Sequence, residues 1–173
     1  MIEATYVMIK PNIAKLEASL KDPIVKDIIS RYNACGLDVI AMKKARLTLE
    51  QAEVHYDHLK DEDFFEELTN FMADEVIEMI VIGENAVEVV RKINGPTNVL
   101  KARKESPNSI RALYGDPNFA CANAIHASDS KENAEIEINR FFPELHFKQP
   151  KFLNIPEAQR GLVKHKYLAN KSM

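Results

Sequence analysis

The fold class this sequence predicts is α+β, a small antiparallel sheet with helices packed on it. Three observations carry that expectation. Short β-rich apolar runs alternate with stretches whose apolar residues recur at helical spacing. The order along the chain is strand, helix, strand, helix pair, strand, helix, loop, strand, helix, which gives four strands. Connections of hairpin length are few, so helices rather than tight turns join the strands.

Thr5–Lys10 is apolar and β-rich, and Pro11 stops it, which leaves Lys10 at the carboxyl end of a buried strand. Pro23–Cys35 places Ile24, Ile28, Ile29 and Tyr32 at helical spacing, with Gly36 as the C-terminal cap. Leu37–Leu47 alternates loosely and reads as a strand. Thr48 with Gln51 three residues on makes a capping box, so a helix starts there. Phe64, Phe65, Leu68, Phe71 and Met72 form one stripe of a second helix. Glu75–Gly83 is a strand, and Asn85–Ile93 is a helix stopped by Asn94, Gly95 and Pro96. From Pro96 to Ala122 there is no clean period, and a loop of that length inside a domain is usually functional. Asn123–His126 is a short apolar strand end. Asp129–Phe142 is a helix with Ala134, Ile138, Phe141 and Phe142 on one face, and Pro143 ends it. Four antiparallel strands with helices on one face make the ferredoxin-like arrangement. Residues 1–143 read as one domain. Residues 144–173, rich in Lys, Asn and Pro, read as a C-terminal extension packed on it or trailing from it.

Composition bounds the function classes. The chain has 173 residues, 46% hydrophobic and 28% charged, which suits a globular domain and neither a disordered nor a fibrous chain. Lys plus Arg is 23 and Asp plus Glu is 26, a net charge of −3, so nothing overall asks for nucleic acid or an anionic membrane. The most apolar stretch, Val76–Gly83, is too short to span a bilayer. The first ten residues carry Glu3 and no basic run before an apolar core, unlike a signal peptide. Cys35 and Cys121 stand far apart and form no disulfide framework. A cytoplasmic protein is expected.

His126 is the residue that most asks for a role. It follows the apolar run Asn123–Ile125 and precedes Ser128–Asp129–Ser130, between a strand and a helix start. Glu137 sits at the edge of the next helix's apolar stripe rather than on its opposite face. A carboxylate near the buried side needs a partner, and a histidine just before the helix is one. A carboxylate that fixes an imidazole's tautomer supports a nucleophilic or basic histidine. Lys10, Arg91 and Arg111 come from three separate segments. Together they suit a polyphosphate, the arginines as planar forks and the lysine as a point charge. Thr97, after the Gly95–Pro96 turn, adds a hydroxyl. Neither GxxxxGK[ST] nor GxGxxG occurs, so a nucleotide site here needs another architecture. His55 and His58 lie three apart on a helix without a convincing third ligand and read as a surface pair. No metal site on the protein is expected.

Five segments, in order, resemble the nucleoside diphosphate kinases: VMIKPN (Val7–Asn12), HYDHLKDEDFFEEL (His55–Leu68), GPTN (Gly95–Asn98), SPNSIRA (Ser106–Ala112) and above all NAIHASDS (Asn123–Ser130). They fall between about Tyr6 and Phe142, and GPTN with SPNSIRALYG is similar to a divergent branch of that family. The resemblance implies a ferredoxin-like domain of the nucleoside diphosphate kinase type, with its site between the long loop and the sheet. It implies a ping-pong reaction in which His126 takes the γ-phosphate of a nucleoside triphosphate, typically ATP, and passes it to a nucleoside diphosphate. By the same resemblance Lys10 contacts phosphate and ribose hydroxyl, and Tyr56 stands beside the histidine. Phe64 stacks on the base, with Leu68 next to it. Arg91, Thr97 and Arg111 hold phosphate, Asn123 binds ribose, Ser128 lies close to His126, and Glu137 orients it. Mg2+ is expected to arrive with the phosphates. A homo-oligomer built from dimers is expected, as relatives form, with no membrane and no specific nucleic acid as partner. The family's Asp-Gly after Lys-Pro is here Asn12–Ile13, and its glycine after the histidine is Ala127. A catalytically weak nucleotide-binding regulatory module of the same fold is the competing reading. The retained His126, Lys10, Arg91, Arg111, Asn123 and Glu137 speak against it.

Overall fold

A computed structural model of the chain describes residues 1–16 and 22–149. Its elements are numbered in chain order. Strand β1 runs Ile2–Ile9, and Pro11 opens the short helix α1, Pro11–Ala14. Proline at the first helical position loses nothing, because its missing N–H would have no intrahelical partner there. Helix α2 is Pro23–Ala34 and strand β2 is Asp38–Arg46. The expected capping box forms: Thr48 Oγ1 accepts from Gln51 N–H at 3.1 Å, and the Gln51 side chain accepts from Thr48 N–H at 2.9 Å. It opens α3, Leu49–His55, which a 3-10 turn at Asp57–Leu59 joins to α4, Phe65–Met72. Strand β3 is Glu75–Glu84 and α5 is Ala86–Asn94.

The stretch expected to be one long loop holds two helices, α6 at Val99–Glu105 and α7 at Ile110–Tyr114. Each starts on a side-chain cap. Asn98 Oδ1 accepts from Lys101 N–H at 2.9 Å, and Ser109 Oγ from Ala112 N–H at 3.4 Å. With seven and five residues, neither is long enough to display a hydrophobic period, so the sequence reads as irregular there. Strand β4 is Ile125–Ala127, and α8 is Lys131–Phe141, capped by Ser130.

The sheet is antiparallel throughout, in the order β2-β3-β1-β4. This is the expected ferredoxin-like sheet, with one correction: helices cover both of its faces. On β1, Ala4, Tyr6 and Met8 join a core with α3, α4 and α8, while Val7 and Ile9 join another with α1, α2, α5 and α7. On β3, Val76, Ile80 and Ile82 belong to the first core, and Ile77, Met79 and Val81 to the second. A strand buried on both faces reads as a nearly continuous apolar run, so it carries no alternation to announce a second helical layer.

Residues 144–149, the start of the expected extension, take part in the first core. A 3-10 turn at Pro143–Leu145 leads to Phe147, which is buried there. The Gln149 side chain then accepts from Ala4 N–H at 3.0 Å and donates to Ala4 C=O at 2.8 Å. The remainder of the extension lies outside the described residues. Among those described, no helix is long and apolar enough to cross a membrane.

Candidate active site

Strand alternation places His126. Its neighbours Ile125 and Ala127 pack into the core of α2 and α5, and His126 pairs with Met8 of β1. Its ring therefore stands on the opposite side of the sheet, with α3 and α8. The approach to β4 is strained. Ala124 has a φ of 74°, and Ile125 N–H bonds back to the Asn123 carbonyl at 3.0 Å, closing a γ-turn. Such a backbone costs on the order of 1–3 kcal/mol in a residue other than glycine and persists where its surroundings hold it. Here Lys10 N–H donates to the Ala124 carbonyl at 2.8 Å. Alanine has no preference for that region, so the sequence carries no sign of the turn.

Glu137 reaches back from α8 to the ring. Its Oε1 lies 3.1 Å from His126 Nε2, and its Oε2 accepts the Ser128 hydroxyl. A carboxylate accepts only, so in the neutral ring Nε2 carries the proton and Nδ1 keeps its lone pair. Ser128 is held in turn by Tyr6 N–H, which donates to its Oγ at 3.3 Å.

His55 and His58 are not a surface pair. His55 is only 4% exposed, and its ring meets that of His126 edge-on with centroids 4.5 Å apart. Arg140 Nη1 lies 3.4 Å from His55 Nδ1. A helix as short as α3 does not reveal its buried side by its own period; β1 and α8 decide it. Burial, with His126 and Arg140 beside it, pushes His55 far below the usual histidine range, so the ring stays neutral. His55, His126 and Glu137 each offer an atom within 4.8 Å of the others, a donor set of the kind borderline dications accept. The Arg140 guanidinium at His55 Nδ1 opposes a further positive charge there.

One cavity of about 860 Å³ collects every expected site residue except Ser128, which is buried behind Glu137. Phe64 lies at its rim, 44% exposed, and Leu68, Ala120 and Cys121 line it. Lys10 is buried, with Nζ donating to the Cys121 carbonyl at 2.9 Å. Burial first, and then the Arg111 cation, lowers its pKa to about 7. Arg111 donates from Nη1 to Gly95 C=O at 2.6 Å and from Nη2 to Ile125 C=O at 2.9 Å, tying the turn before α6 to β4. Burial and Arg91 lower its pKa to about 10, which leaves it charged at neutral pH. Gly95 permits the approach: its φ is 81°, and a Cβ there would meet Ser109 Oγ at 2.3 Å. Asn123 Nδ2 donates to Thr97 C=O at 3.1 Å. Four buried atoms here, His55 Nε2, Tyr56 Oη, Arg111 Nε and Asn123 Oδ1, have no partner among the described residues. Each such group costs about 1–3 kcal/mol if nothing satisfies it.

Sequence reading misses His55 and Tyr6 as neighbours of His126, and Arg140 as a neighbour of His55. Arg140 follows Glu137 by three residues on α8, and that spacing alone could have placed the two on one side of the helix.

The nucleoside diphosphate kinase family model matches residues 3–147. The chain is 43% identical over 148 residues to the nucleoside diphosphate kinase of Methanocaldococcus jannaschii, covering 83% of this chain and 96% of that protein. It is 40% identical over 146 residues to the nucleoside diphosphate kinase of Aquifex aeolicus, again covering 83% and 96%. Among solved structures it matches the Aquifex aeolicus nucleoside diphosphate kinase with a TM-score of 0.73 and 38% identity, over 82% of this chain and 96% of that one. It also matches the nucleoside diphosphate kinase of Encephalitozoon cuniculi, with a TM-score of 0.69 and 35% identity over 80% and 88%.

Proposed function

The chain belongs to the nucleoside diphosphate kinase family, and on that premise we propose the following reaction and roles for its residues. His126 Nδ1 attacks the γ-phosphorus of a nucleoside triphosphate, typically ATP carrying Mg2+ on its phosphates. An N–P bond forms, the bond to the β–γ bridging oxygen breaks, and the nucleoside diphosphate leaves. A second nucleoside diphosphate takes the phosphoryl group through its terminal oxygen, which restores His126. The two phosphoanhydrides are alike, so the exchange is close to thermoneutral and runs in both directions.

The observation that carries this reading is the contact between Glu137 and His126 at 3.1 Å, in a cavity that also gathers Lys10, Arg91 and Arg111. The carboxylate favours the tautomer whose Nδ1 can attack, and it stabilises the positive charge that develops on the ring. In this reading Ser128 steadies Glu137, and Lys10 contacts phosphate and ribose. Arg91, Arg111 and Thr97 hold the phosphates, and Asn123 holds the ribose. Phe64 and Leu68 receive the base by stacking and apolar contact, which tolerates any base. Tyr56 stands beside His126, with ring centroids 6.1 Å apart. Mg2+ belongs to the substrate complex and comes with the phosphates.

The proposal extends to a dimer-based homo-oligomer in the cytoplasm, with residues 1–143 as the catalytic domain and 144–173 as its extension. Its support is β2, which lies at the edge of the sheet, together with the exposed side chains of Leu16, Leu49 and Leu100. Cys35 and Cys121 are free thiols, which suits a reducing compartment. Light scattering checks the oligomer; a monomeric mass removes that part and leaves the chemistry standing.

Incubation with ATP labelled in the γ-phosphate tests the assignment. The expected result is acid-labile label on the protein, which ADP or GDP then discharges. Absence of label, or label stable to acid, sinks it.

A further inference from the structure

Two imidazoles lie within reach of one carboxylate oxygen. Glu137 Oε1 is 3.1 Å from His126 Nε2 and 3.9 Å from His55 Nδ1. A closing of about 1 Å would bring His55 into hydrogen-bond distance and draw the carboxylate away from His126. Arg140 stands where it decides between them. It lies one turn after Glu137 on α8, and its Nη1 is 3.4 Å from His55 Nδ1. A guanidinium has donors and no acceptor, so His55 Nδ1 is the acceptor and the ring proton sits on Nε2. Nε2 is buried without a partner among the described residues, so nothing there selects that tautomer; the selection comes from Arg140.

We propose that Arg140 is a positioning residue: by keeping His55 Nδ1 unprotonated, it reserves Glu137 for His126. The role rests on the reaction proposed above and deepens it. His55 is then an edge rather than a partner. Its ring packs at right angles to His126 and against Phe141, with centroids 4.5 and 5.2 Å away, and limits rotation of the nucleophile. Without Arg140, Nδ1 is open to a proton, and a protonated Nδ1 donates to Glu137 Oε1 in competition with His126.

Wild type, Arg140→Met, Arg140→Lys, His55→Phe and the double variant Arg140→Met with His55→Phe test the role. Single-turnover phosphorylation by magnesium ATP, ADP affinity and nitrogen-15 NMR of the histidine tautomers are measured on each. In Arg140→Met, phosphorylation slows on the order of tenfold, part of the roughly 100-fold or more that a positioned acid–base group contributes. ADP affinity is unchanged, and the proton of His55 moves from Nε2 to Nδ1. With the competitor gone, loss of Arg140 is harmless, so the double variant phosphorylates as fast as His55→Phe alone. Arg140→Lys keeps a donor and stays near wild type. Wild-type phosphorylation in Arg140→Met overturns the proposal, as does an equal loss in the His55→Phe background. If Arg140→Met does not fold, the tautomer of His55 in wild type decides, and a proton on Nδ1 overturns the role. That last readout needs no turnover, so it separates failure of the Arg140 role from failure of the kinase reading, which shows instead as absence of label on wild-type His126.

Discussion

The two faces of the sheet are made by alternate residues of the same strands, and they are filled differently. On the side of α2 and α5, Val7, Ile9, Ile77, Met79 and Val81 meet Val25, Ile28 and Val90 in an apolar layer. A buried polar pair lies at its margin, with Tyr32 Oη donating to Asn94 Oδ1 at 2.7 Å while Asn94 Nδ2 has no partner among the described residues. On the other side the same strands present Tyr6 and Glu78. Tyr6 Oη donates to Glu78 Oε1 at 3.2 Å, Lys43 pairs with Glu78 at 3.3 Å, and burial raises the Glu78 pKa. Tyr6 lies next to both imidazoles, with ring centroids 6.2 Å from His55 and 6.1 Å from His126. The apolar face stabilises by excluding water. The other gives up part of that stability to hold groups that water would otherwise solvate, in orientations water would not keep. Along β1 and β3 the alternation separates an apolar layer from the side that carries Tyr6, Glu78 and the imidazoles, while α5 and α7 on the apolar side still supply Arg91 and Arg111 to the site.

Four measurements test that division. The largest effect belongs to His126→Ala, which should abolish phosphoryl transfer while the thermal transition stays within a few degrees of wild type, because the nucleophile has no substitute. Substantial turnover in that variant would take the chemistry off this face. On the opposite face, Ile28 is fully buried, and Ile28→Ala should lower stability by about 2–5 kcal/mol. Its phosphorylation rate per folded molecule should not change; a slowed rate would mean that the two faces are coupled. Glu137→Gln keeps shape and one hydrogen bond but loses the charge, and should slow single-turnover phosphorylation on the order of 100-fold with ADP affinity intact. A weakened ADP affinity would make Glu137 a nucleotide contact instead.

The smallest effect concerns Lys10, whose pKa of about 7 in the folded protein lies below the ordinary lysine value of 10.5. Between those two values the unfolded chain holds a proton that the folded chain does not. Through this group, the nucleotide-free protein therefore gains stability as pH rises from about 7 toward 10.5. Phosphate oxygens favour the charged amine, so ADP binding at pH 8 should take up a fraction of a proton. Calorimetry in two buffers of different ionisation enthalpy measures it, and Lys10→Met should remove it. Absence of uptake in wild type would mean that Lys10 does not meet the phosphates.

Much of this is legible in the amino-acid sequence. Thr48 and Gln51 announce α3, Pro11 the end of β1, and Asn94–Gly95–Pro96 the end of α5. Glu137, at the edge of its helical stripe, points to His126, and the two meet. These signals are local. A cap, a breaker or a hydrophobic period acts within a few residues, so the chain states it outright. His55, Arg140 and the strained Ala124 are not legible in that way, nor is the second helical layer. His55 and Arg140 meet across 85 positions, Tyr6 and Glu78 across 72, and Lys10 and the Cys121 carbonyl across 111. Whether a histidine on a short helix faces water or a nucleophile depends on what packs over it, and that partner lies far along the chain. The tertiary structure decides it by bringing α8 and β1 against α3, where burial keeps the ring neutral and a guanidinium stands at its Nδ1, an arrangement that no spacing in the sequence encodes.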